Sequence, residues 1–320
     1  MLDSPKRWNM CSRANIGALI ATFATSLVVA LSSCSTRVTD IANERQGVPA
    51  SGPTTEVEPT PTEPSSDSTP GLGPQLTEVF FDDFDGPLDE SVWSHESPLF
   101  GGGDESVHLY QDDAVSTANG LLLITARRLP TPLEIDEDGD GLADRTITWQ
   151  SGFITSRDRL SFTGGRYEIR ARIPQGQGLW PAFWLRPQDR RYGPWPSSGE
   201  LDVFEARGHE PDTVHWTAHW DDGGHAKSTH SQSVAPTNDG FHTFTLDWTS
   251  GILRWSVDGV VVHKLLDWET AVGPYPAPFD QAFFLNVNLA VGGSWPGPPD
   301  ASTPDDPTLE VDWIRVFNID

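Results

Sequence analysis

From about Thr77 to the end of the chain, short apolar runs alternate with turns rich in Gly, Pro, Asn and Asp. This pattern is typical of β-strands joined by tight turns, and its frequency favours a sandwich or a barrel. We therefore predict one all-β domain over residues 77–320, a normal size for a single domain. The predicted strands are Glu78–Phe81, Gly120–Ala126, Thr146–Thr155, Gly165–Arg172, Ala182–Leu185, Glu200–Ala206, Val214–Trp220, His242–Asp247, Leu253–Val257, Val260–Lys264, Gln281–Leu289 and Leu309–Phe317.

The first residues of the chain have the character of an export signal. Residues 1–33 start with basic positions and continue into an apolar run, Ile16 to Leu31, that is too short and too rich in small residues for a permanent span. The run ends at Leu31-Ser32-Ser33-Cys34, which resembles a bacterial lipobox. The resemblance implies cleavage before Cys34 and lipid attachment to its thiol. An ordinary signal peptide and an uncleaved anchor are the alternatives. We expect an exported protein, either a membrane-anchored lipoprotein or an extracellular one.

Residues 34–76 are dominated by Thr, Pro, Ser, Glu and Gly. They contain too little apolar surface to offset the entropy cost of ordering, so we predict a disordered linker. Frequent proline stiffens and extends such a chain. We expect this linker to hold the domain away from a membrane surface.

The charge balance limits the classes of function. Lys and Arg total 21 against 46 Asp and Glu, which gives a formal net charge of -25. Because phosphate binding requires a basic surface, nucleic acid is disfavoured as a partner, and a neutral polymer fits better. The chain has 13 Trp, more than one core usually needs, so we expect some of them to stack on sugars. The cysteines, Cys11 and Cys34, leave the predicted domain without an internal disulfide or a thiolate metal site.

The segment Ser198–Ala206 carries Glu200, Asp202 and Glu205 among apolar residues that suit a strand. Side chains alternate faces along a strand, so Glu200 and Asp202 share a face. A β-bulge around Val203-Phe204 would bring Glu205 onto the same face. Like charges at close range raise at least one pKa, and one ionised carboxyl beside one protonated carboxyl is the pairing that a retaining glycosidase needs. A solvated acidic strand face has the same spacing and is the alternative at this point.

A series of motifs runs along the predicted domain. They are Phe81–Gly86, Gly165–Arg172, Gly178–Leu185, Trp195–Glu205, Phe241–Phe244, Asn288–Gly293 and Val311–Val316. In this order they resemble glycoside hydrolase family 16, particularly its laminarinase-like β-1,3-glucanases, over nearly all of residues 77–320. The resemblance implies a concanavalin-like jelly-roll sandwich of two curved antiparallel sheets, with a glycan cleft across the concave sheet.

The resemblance also implies roles for the three acids. Glu200 is similar to the nucleophile and Glu205 to the general acid/base, an order that the residue pattern alone leaves open. Asp202 is similar to a helper that hydrogen-bonds the nucleophile and modulates its charge. The implied activity is retaining endo-hydrolysis of β-1,3-glucan by double displacement, with no cofactor in catalysis.

Further residues are candidates for binding the polysaccharide. They are Trp180, Trp184, Trp195, His215, His219 and Asn288. A core position is an equal alternative for Trp184, since it and Phe183 must point to opposite faces. His215 and His219 share a strand face and could hydrogen-bond sugar hydroxyls. A metal pair is the other interpretation, although the resemblance implies no metal in catalysis. The segment Gly101–Tyr110 only loosely matches a sugar-contacting motif of the family.

Two calcium sites are considered. Residues 136–144 place Asp136, Asp138, Asp140 and Asp144 at positions 1, 3, 5 and 9 of an EF-hand-like loop. Ile147 stands where that motif requires Glu, so the alternatives are a calcium-binding turn in a hairpin and an acidic surface loop. Separately, the resemblance implies a structural calcium ion held by Asp83, the carbonyl of Gly120, and Asp312.

Two alternatives to a β-1,3-glucanase stay open. One is a hydrolase of the same family that acts on mixed-linkage glucan or a galactan. The other is a non-catalytic glucan-binding module, which the presence of all three acids disfavours. We expect a monomer that contacts a membrane only through its lipid anchor.

Overall fold

The structure is a computed structural model that describes residues 75–96, 105–136, 142–234, 237 and 239–320. In this part of the chain, nearly all of the regular secondary structure consists of β-strands. Numbered along the chain, the strands are β1 (Leu76–Asp82), β2 (Ser94–His95), β3 (His108–Tyr110), β4 (Val115–Ala118), β5 (Leu121–Thr125), β6 (Arg127–Ile135), β7 (Arg145–Ser151), β8 (Phe153–Thr155), β9 (Ser161–Phe162), β10 (Gly165–Arg172), β11 (Leu179–Pro187), β12 (Glu200–Ala206), β13 (Thr213–Asp221), β14 (His225–Ser233), β15 (His242–Thr249), β16 (Ile252–Val257), β17 (Val260–Leu265), β18 (Phe283–Val291) and β19 (Thr308–Ile319). A 3₁₀ turn, Asp112–Ala114, precedes β4.

Two antiparallel sheets pack face to face. Sheet A has the order β17-β16-β15-β10-β19-β5-β4, with β1 also paired to β19. Sheet B has the order β14-β13-β12-β11-β18-β8-β2, with β9 also paired to β18. The predicted jelly-roll sandwich of two antiparallel sheets is confirmed. A third, smaller sheet, β3-β7-β6, includes one parallel pair, β3 with β7, and was not predicted.

The core lies between sheets A and B and follows from alternation along the strands. In β10, Tyr167, Ile169 and Ala171 are buried while the residues between them are partly exposed. Sheet B contributes Phe183 and Phe204, which are fully buried. Burying a large apolar side chain contributes about 1.5–3 kcal/mol, so this layer fixes which face of each strand points outward.

Strand β18 departs from alternation because all of its residues are buried. One face packs into the core, and the other carries Asn286 and Asn288, which are buried polar residues. This explains why the sequence of β18 is an apolar run interrupted only by asparagines. It also places Asn288 on the outward face of sheet B, beside β11.

The predicted strands each overlap an observed strand, with one error. The single strand expected over Thr146–Thr155 is two strands in different sheets, β7 and β8, and the break falls at Gly152. A Cβ at Gly152 would lie 2.6 Å from Cγ2 of Val115, so the chain passes too close to its neighbour for a side chain there.

The predicted signal segment 1–33, Cys34 and the linker up to residue 74 lie outside the described residues. β1 begins at Leu76, just before the predicted domain boundary. In the part of the chain that the structure describes, we find no helix with the length and apolar character needed to cross a membrane.

Candidate active site

A β-bulge in β12 brings the three acids onto one face. Across the pair with β13, Asp202 faces Thr217 and Glu205 faces His215, so β12 uses one more residue than β13 over this interval. Val203 is the extra residue, since on the β11 side Asp202 pairs with Trp184 and Phe204 pairs with Phe183. The predicted bulge is confirmed.

The acids open into a cavity of about 170 Å³ on the outward face of sheet B. Its walls come from β3, β8, β11, β12 and β18. The lining residues are Tyr110, Phe153, Trp180, Ala182, Trp184, Glu200, Asp202, Glu205, Asn288 and Ala290. The site therefore combines a row of carboxyl groups with flat aromatic rings, as binding of a sugar polymer requires.

Burial raises the pKa of all three acids. It is the largest cause for Glu200, Asp202 and Glu205, and the charge of Asp202 raises the pKa of both glutamates further. Three carboxylates in one partly closed site cannot all ionise at low cost, so they share protons.

The two glutamates have different partners. Nε of Arg186 lies 3.7 Å from Oε2 of Glu200, and this charge favours the ionised form of Glu200. Glu205 instead accepts a hydrogen bond from the neutral Nε1–H of Trp180 at 2.9 Å. Both partners favour the ionised form of the carboxyl that they meet, but a cation does so more strongly than a neutral donor, so the negative charge is favoured on Glu200 and the remaining proton on Glu205.

The contacts of Asp202 correct one expectation. The resemblance implied a hydrogen bond from Asp202 to Glu200, but its side-chain hydrogen bonds are with Glu205 and Thr217. The bond with Glu205 lowers the pKa of Asp202 and raises that of Glu205, which favours the proton on Glu205. Asp202 acts on Glu200 through its charge.

His219 completes the cluster from β13. Its Nε2 lies 3.4 Å from Oδ2 of Asp202 and 4.0 Å from Oε1 of Glu200. Among the described residues, these three are the group whose potential metal-ligand atoms come within 4.8 Å of one another. We interpret them as groups that share protons, because each is already in contact with another member of the cluster.

Three of the predicted sugar-binding residues line the cavity. Trp180 and Trp184 project from β11, and Asn288 projects from β18. Nε1 of Trp184 donates to Oδ1 of Asn288 at 2.7 Å, which fixes both side chains. Phe183 points the other way into the core, so the alternative of a core position for Trp184 is wrong.

The other three lie beside the cavity and do not line it. Trp195 is 43% exposed and packs against His219, with ring centroids 5.8 Å apart. His215 stands opposite Glu205 but contacts the ring of Trp295 at 4.9 Å. The two histidines thus have separate partners, and the structure does not form a metal pair from them.

Sequence reasoning missed several residues of the site. Arg186 follows Trp184 by two positions and shares its strand face, so alternation could have found it. Tyr110 lines the cavity and accepts a bond from Nδ2 of Asn288 at 3.3 Å, and its only signal was the loosely matching segment Gly101–Tyr110. Trp295 packs on Trp180 with centroids 5.1 Å apart, and no local pattern marks it.

The residues of the predicted structural calcium site have the following partners in the structure. Asp312 is paired with Arg170, which already neutralises its charge. Asp83 accepts the backbone N–H of Asp85 at 3.3 Å, and Gly120 lies beside the Asp85 carboxylate.

In the acidic loop, Asp138 and Asp140 lie outside the described residues, whereas Asp136 and Asp144 are described and exposed. The backbone N–H of Asp144 donates to the carbonyl of Ile135 at 2.8 Å and so closes the predicted hairpin between β6 and β7.

The chain is similar to known proteins in both sequence and fold. Residues 103–315 match the model of the family described as glycosyl hydrolases family 16. The chain is 34% identical over 254 residues to a beta-glucanase of Rhodothermus marinus, and the matched region covers 75% of this chain and 84% of that protein. It is also 34% identical over 263 residues to glucan endo-1,3-beta-glucosidase A1 of Niallia circulans, covering 75% of this chain but spanning only 37% of that longer protein.

Among solved structures, the fold is similar to the catalytic domain of an endo-1,3-beta-glucanase (laminarinase) from Thermotoga petrophila. The TM-score is 0.66 and the sequence identity 30%, with 77% of this chain and 99% of that chain covered.

Proposed function

The chain belongs to family 16 of the glycosyl hydrolases, and from this we propose that it hydrolyses internal bonds of β-1,3-glucan with retention of anomeric configuration. The observation that carries the proposal is the cavity in which Glu200 and Glu205 meet with unequal partners, between Trp180 and Trp184. The names of the relatives from Niallia circulans and Thermotoga petrophila support β-1,3-glucan as the substrate class.

The first chemical step uses the asymmetry of the two glutamates. Glu200, ionised beside Arg186, attacks the anomeric carbon and forms a glycosyl ester. Glu205, protonated and hydrogen-bonded to Asp202, donates its proton to the departing glycosidic oxygen. The bond from carbon to the leaving oxygen breaks as the ester bond forms.

The second step reverses the role of Glu205. Once Glu200 is esterified, its negative charge is gone and the pKa of Glu205 falls. Glu205 then takes a proton from water, which attacks the anomeric carbon and releases Glu200 as a carboxylate. The N–H of Trp180 assists here because it stabilises the ionised form of Glu205.

The test is release of reducing ends from laminarin, with lichenan and agarose in parallel, by the protein and by its Glu200→Gln variant. We expect the wild type to cleave laminarin and the variant, which keeps the shape of the side chain but cannot attack, to lose turnover. Full turnover by the variant would contradict the assignment of Glu200 as the nucleophile. Cleavage of lichenan or agarose alone would indicate a hydrolase of the same family that acts on mixed-linkage glucan or a galactan. Binding of laminarin without cleavage would indicate a glucan-binding module.

A second variant separates the two roles. With an activated aryl glycoside, Glu205→Ala should still form the ester, because a good leaving group needs no acid. Added azide should then displace Glu200 and give a product of retained configuration, since two inversions have occurred. Glu200→Ala should give the inverted azide by single displacement. The opposite pair of products would exchange the roles of the two glutamates.

We also propose export with a lipid on Cys34, supported by the basic start, apolar run and lipobox-like end of residues 1–34. Mass spectrometry of the protein from its native membrane would detect the lipid. A structural calcium ion and a monomeric state remain proposals that rest on the resemblance to the family.

A further inference from the structure

His219 has a second imidazole as its partner. Its Nδ1 lies 2.8 Å from Nε2 of His225, at the start of β14. The ring centroids are 5.1 Å apart and the ring planes differ by only 25°, so the rings meet nearly edge to edge. Trp195 packs against both, at 5.8 Å from His219 and 4.5 Å from His225. This contact is a hydrogen bond between two imidazoles, held in place by an indole.

Only one proton fits between the two nitrogens, so two arrangements exist. If His219 donates from Nδ1, its Nε2 carries a lone pair that faces Asp202 at 3.4 Å and Glu200 at 4.0 Å. An ionised Asp202, whose side chain is 3% exposed, would then face this lone pair as acceptor against acceptor. If His225 donates, Nε2 of His219 carries the proton and points it at the carboxyl groups.

The second arrangement also satisfies a buried oxygen. Oδ2 of Asp202 is buried, and no group among the described residues forms a hydrogen bond with it in the observed geometry. The side chain of Asp202 is only 3% exposed, so water is a poor substitute. Nε2 of His219 lies 3.4 Å from this oxygen, so an N–H at that atom can donate to it.

We propose that His225 is a positioning residue that holds His219 as the Nε2–H tautomer, so that His219 donates to the carboxyl groups of Asp202 and Glu200. This deepens the proposed function, on which it rests, because it assigns His219 a role in charge stabilisation in addition to sugar binding. His225 is not among the lining residues of the cavity, and its ring contacts His219 and Trp195, so it acts on the carboxyl groups through His219.

The surrounding charges are consistent with a neutral pair. Partial burial lowers the pKa of His225, and burial lowers that of His219 even though Glu200 and Glu205 favour its protonation. Lys227, which stands opposite His219 on β14, disfavours a second proton on either ring. A doubly protonated pair would place N–H groups on both facing nitrogens and break the bond.

The direct test is the ¹⁵N spectrum of the imidazoles in the full-length protein, assigned by comparison with His219→Gln and His225→Gln. At pH 7 we expect Nε2 of His219 to show a bound proton and Nδ1 to be an unprotonated acceptor. In His225→Ala we expect the two tautomers of His219 to mix. A protonated Nδ1 in the wild type, or an unchanged spectrum in His225→Ala, would overturn the proposal.

Kinetics on laminarin supply a second test. His225→Ala should lower kcat about two- to tenfold, the factor that one ordinary hydrogen bond supplies, with little change in KM. His225→Gln should recover most of the loss, because its amide N–H can donate to Nδ1 of His219. His230→Ala is the matched control: His230 lies on the same strand but faces Trp216 and His263, and its loss should leave kcat within twofold.

The tautomer of His219 and the proposed activity on laminarin can be tested independently. The tautomer of His219 is measured without substrate, so it can be read even if the protein cleaves no laminarin. Absence of cleavage in the wild type would therefore overturn the proposed substrate and leave the tautomer assignment standing. Equal loss of kcat in the Ala and Gln variants of His225 would contradict the positioning role and indicate that His225 only packs against its neighbours.

Discussion

Replacing Trp180 by Phe removes one donor from Glu205 and keeps an aromatic ring in the cavity. The indole N–H of Trp180 lies 2.9 Å from Oε1 of Glu205, and this bond favours the ionised form of the carboxyl group. In the variant the ionised form loses that donor, whereas burial and the charge of Asp202, which both raise the pKa of Glu205, stay in place. The pKa of Glu205 should therefore rise further.

The size of the effect follows from the type of bond. A hydrogen bond to a charged group contributes about 1.5–3 kcal/mol, and one pKa unit corresponds to about 1.4 kcal/mol. The pKa of Glu205 should thus rise by about one to two units. Because Glu205 must be protonated in the free enzyme to act as the acid, the alkaline limb of kcat/KM should move to higher pH by that amount. The base step requires the ionised form, so kcat near neutral pH should fall.

The assay is the pH dependence of kcat/KM on laminarin for the wild type and Trp180→Phe. The control is Trp184→Phe, since Nε1 of Trp184 donates to the amide of Asn288 and to no carboxylate in its described hydrogen bond. That variant should bind sugar less well, because Trp184 lines the cavity, but its alkaline limb should coincide with that of the wild type. An unshifted limb in Trp180→Phe, or an equal shift in both variants, would refute the reasoning.

Two further predictions concern stability. Asp247 is buried between Arg166 and Arg254. Burial raises the pKa of Asp247, but the hydrogen bonds from the two arginines outweigh it and lower the pKa. Asp247→Asn should therefore lower the free energy of unfolding, measured in urea at pH 7, by about 3 kcal/mol. The wild type should lose this contribution as the pH falls below 3.8, and a cost that stays constant with pH would contradict the ion-pair interpretation. Burial, and to a lesser extent the charge of His230, lowers the pKa of His263 from 6.5. The folded protein therefore favours neutral His263, and the Tm should fall as the pH drops below 6.5. His263→Phe should flatten that slope, and an equal slope in the variant would locate the titration elsewhere.

The acidic strand could be predicted because its own residues carry the information. The apolar positions of β12 face the core, so alternation fixes the direction of Glu200 and Asp202. The spacing of Glu205 requires an extra residue, and a bulge supplies it. Nothing in this strand, however, distinguishes the two glutamates, because their difference comes from Arg186 and Trp180 on the neighbouring strand.

Strand β14 could not be predicted, for a physical reason. Its sequence, His225–Ser233, is almost wholly polar because the strand lies at the edge of sheet B and both of its faces are largely solvated. Such a strand is held by its backbone bonds to β13 and leaves no hydrophobic pattern. Missing β14 meant missing His225, the partner that the sequence could not assign to His219.

The direction of β11 decides which partner each glutamate of the proposed catalytic pair receives. Trp180 and Arg186 lie on the same face of β11, near its opposite ends. Because β11 runs antiparallel to β12, the Arg186 end meets Glu200 and the Trp180 end meets Glu205. Both donors favour the ionised form of the carboxyl that they meet, and the charged donor does so more strongly, so the negative charge is favoured on Glu200 over Glu205. The difference between the two glutamates therefore comes from the strand pair, and a substitution on β11 can alter their relative pKa without changing either glutamate.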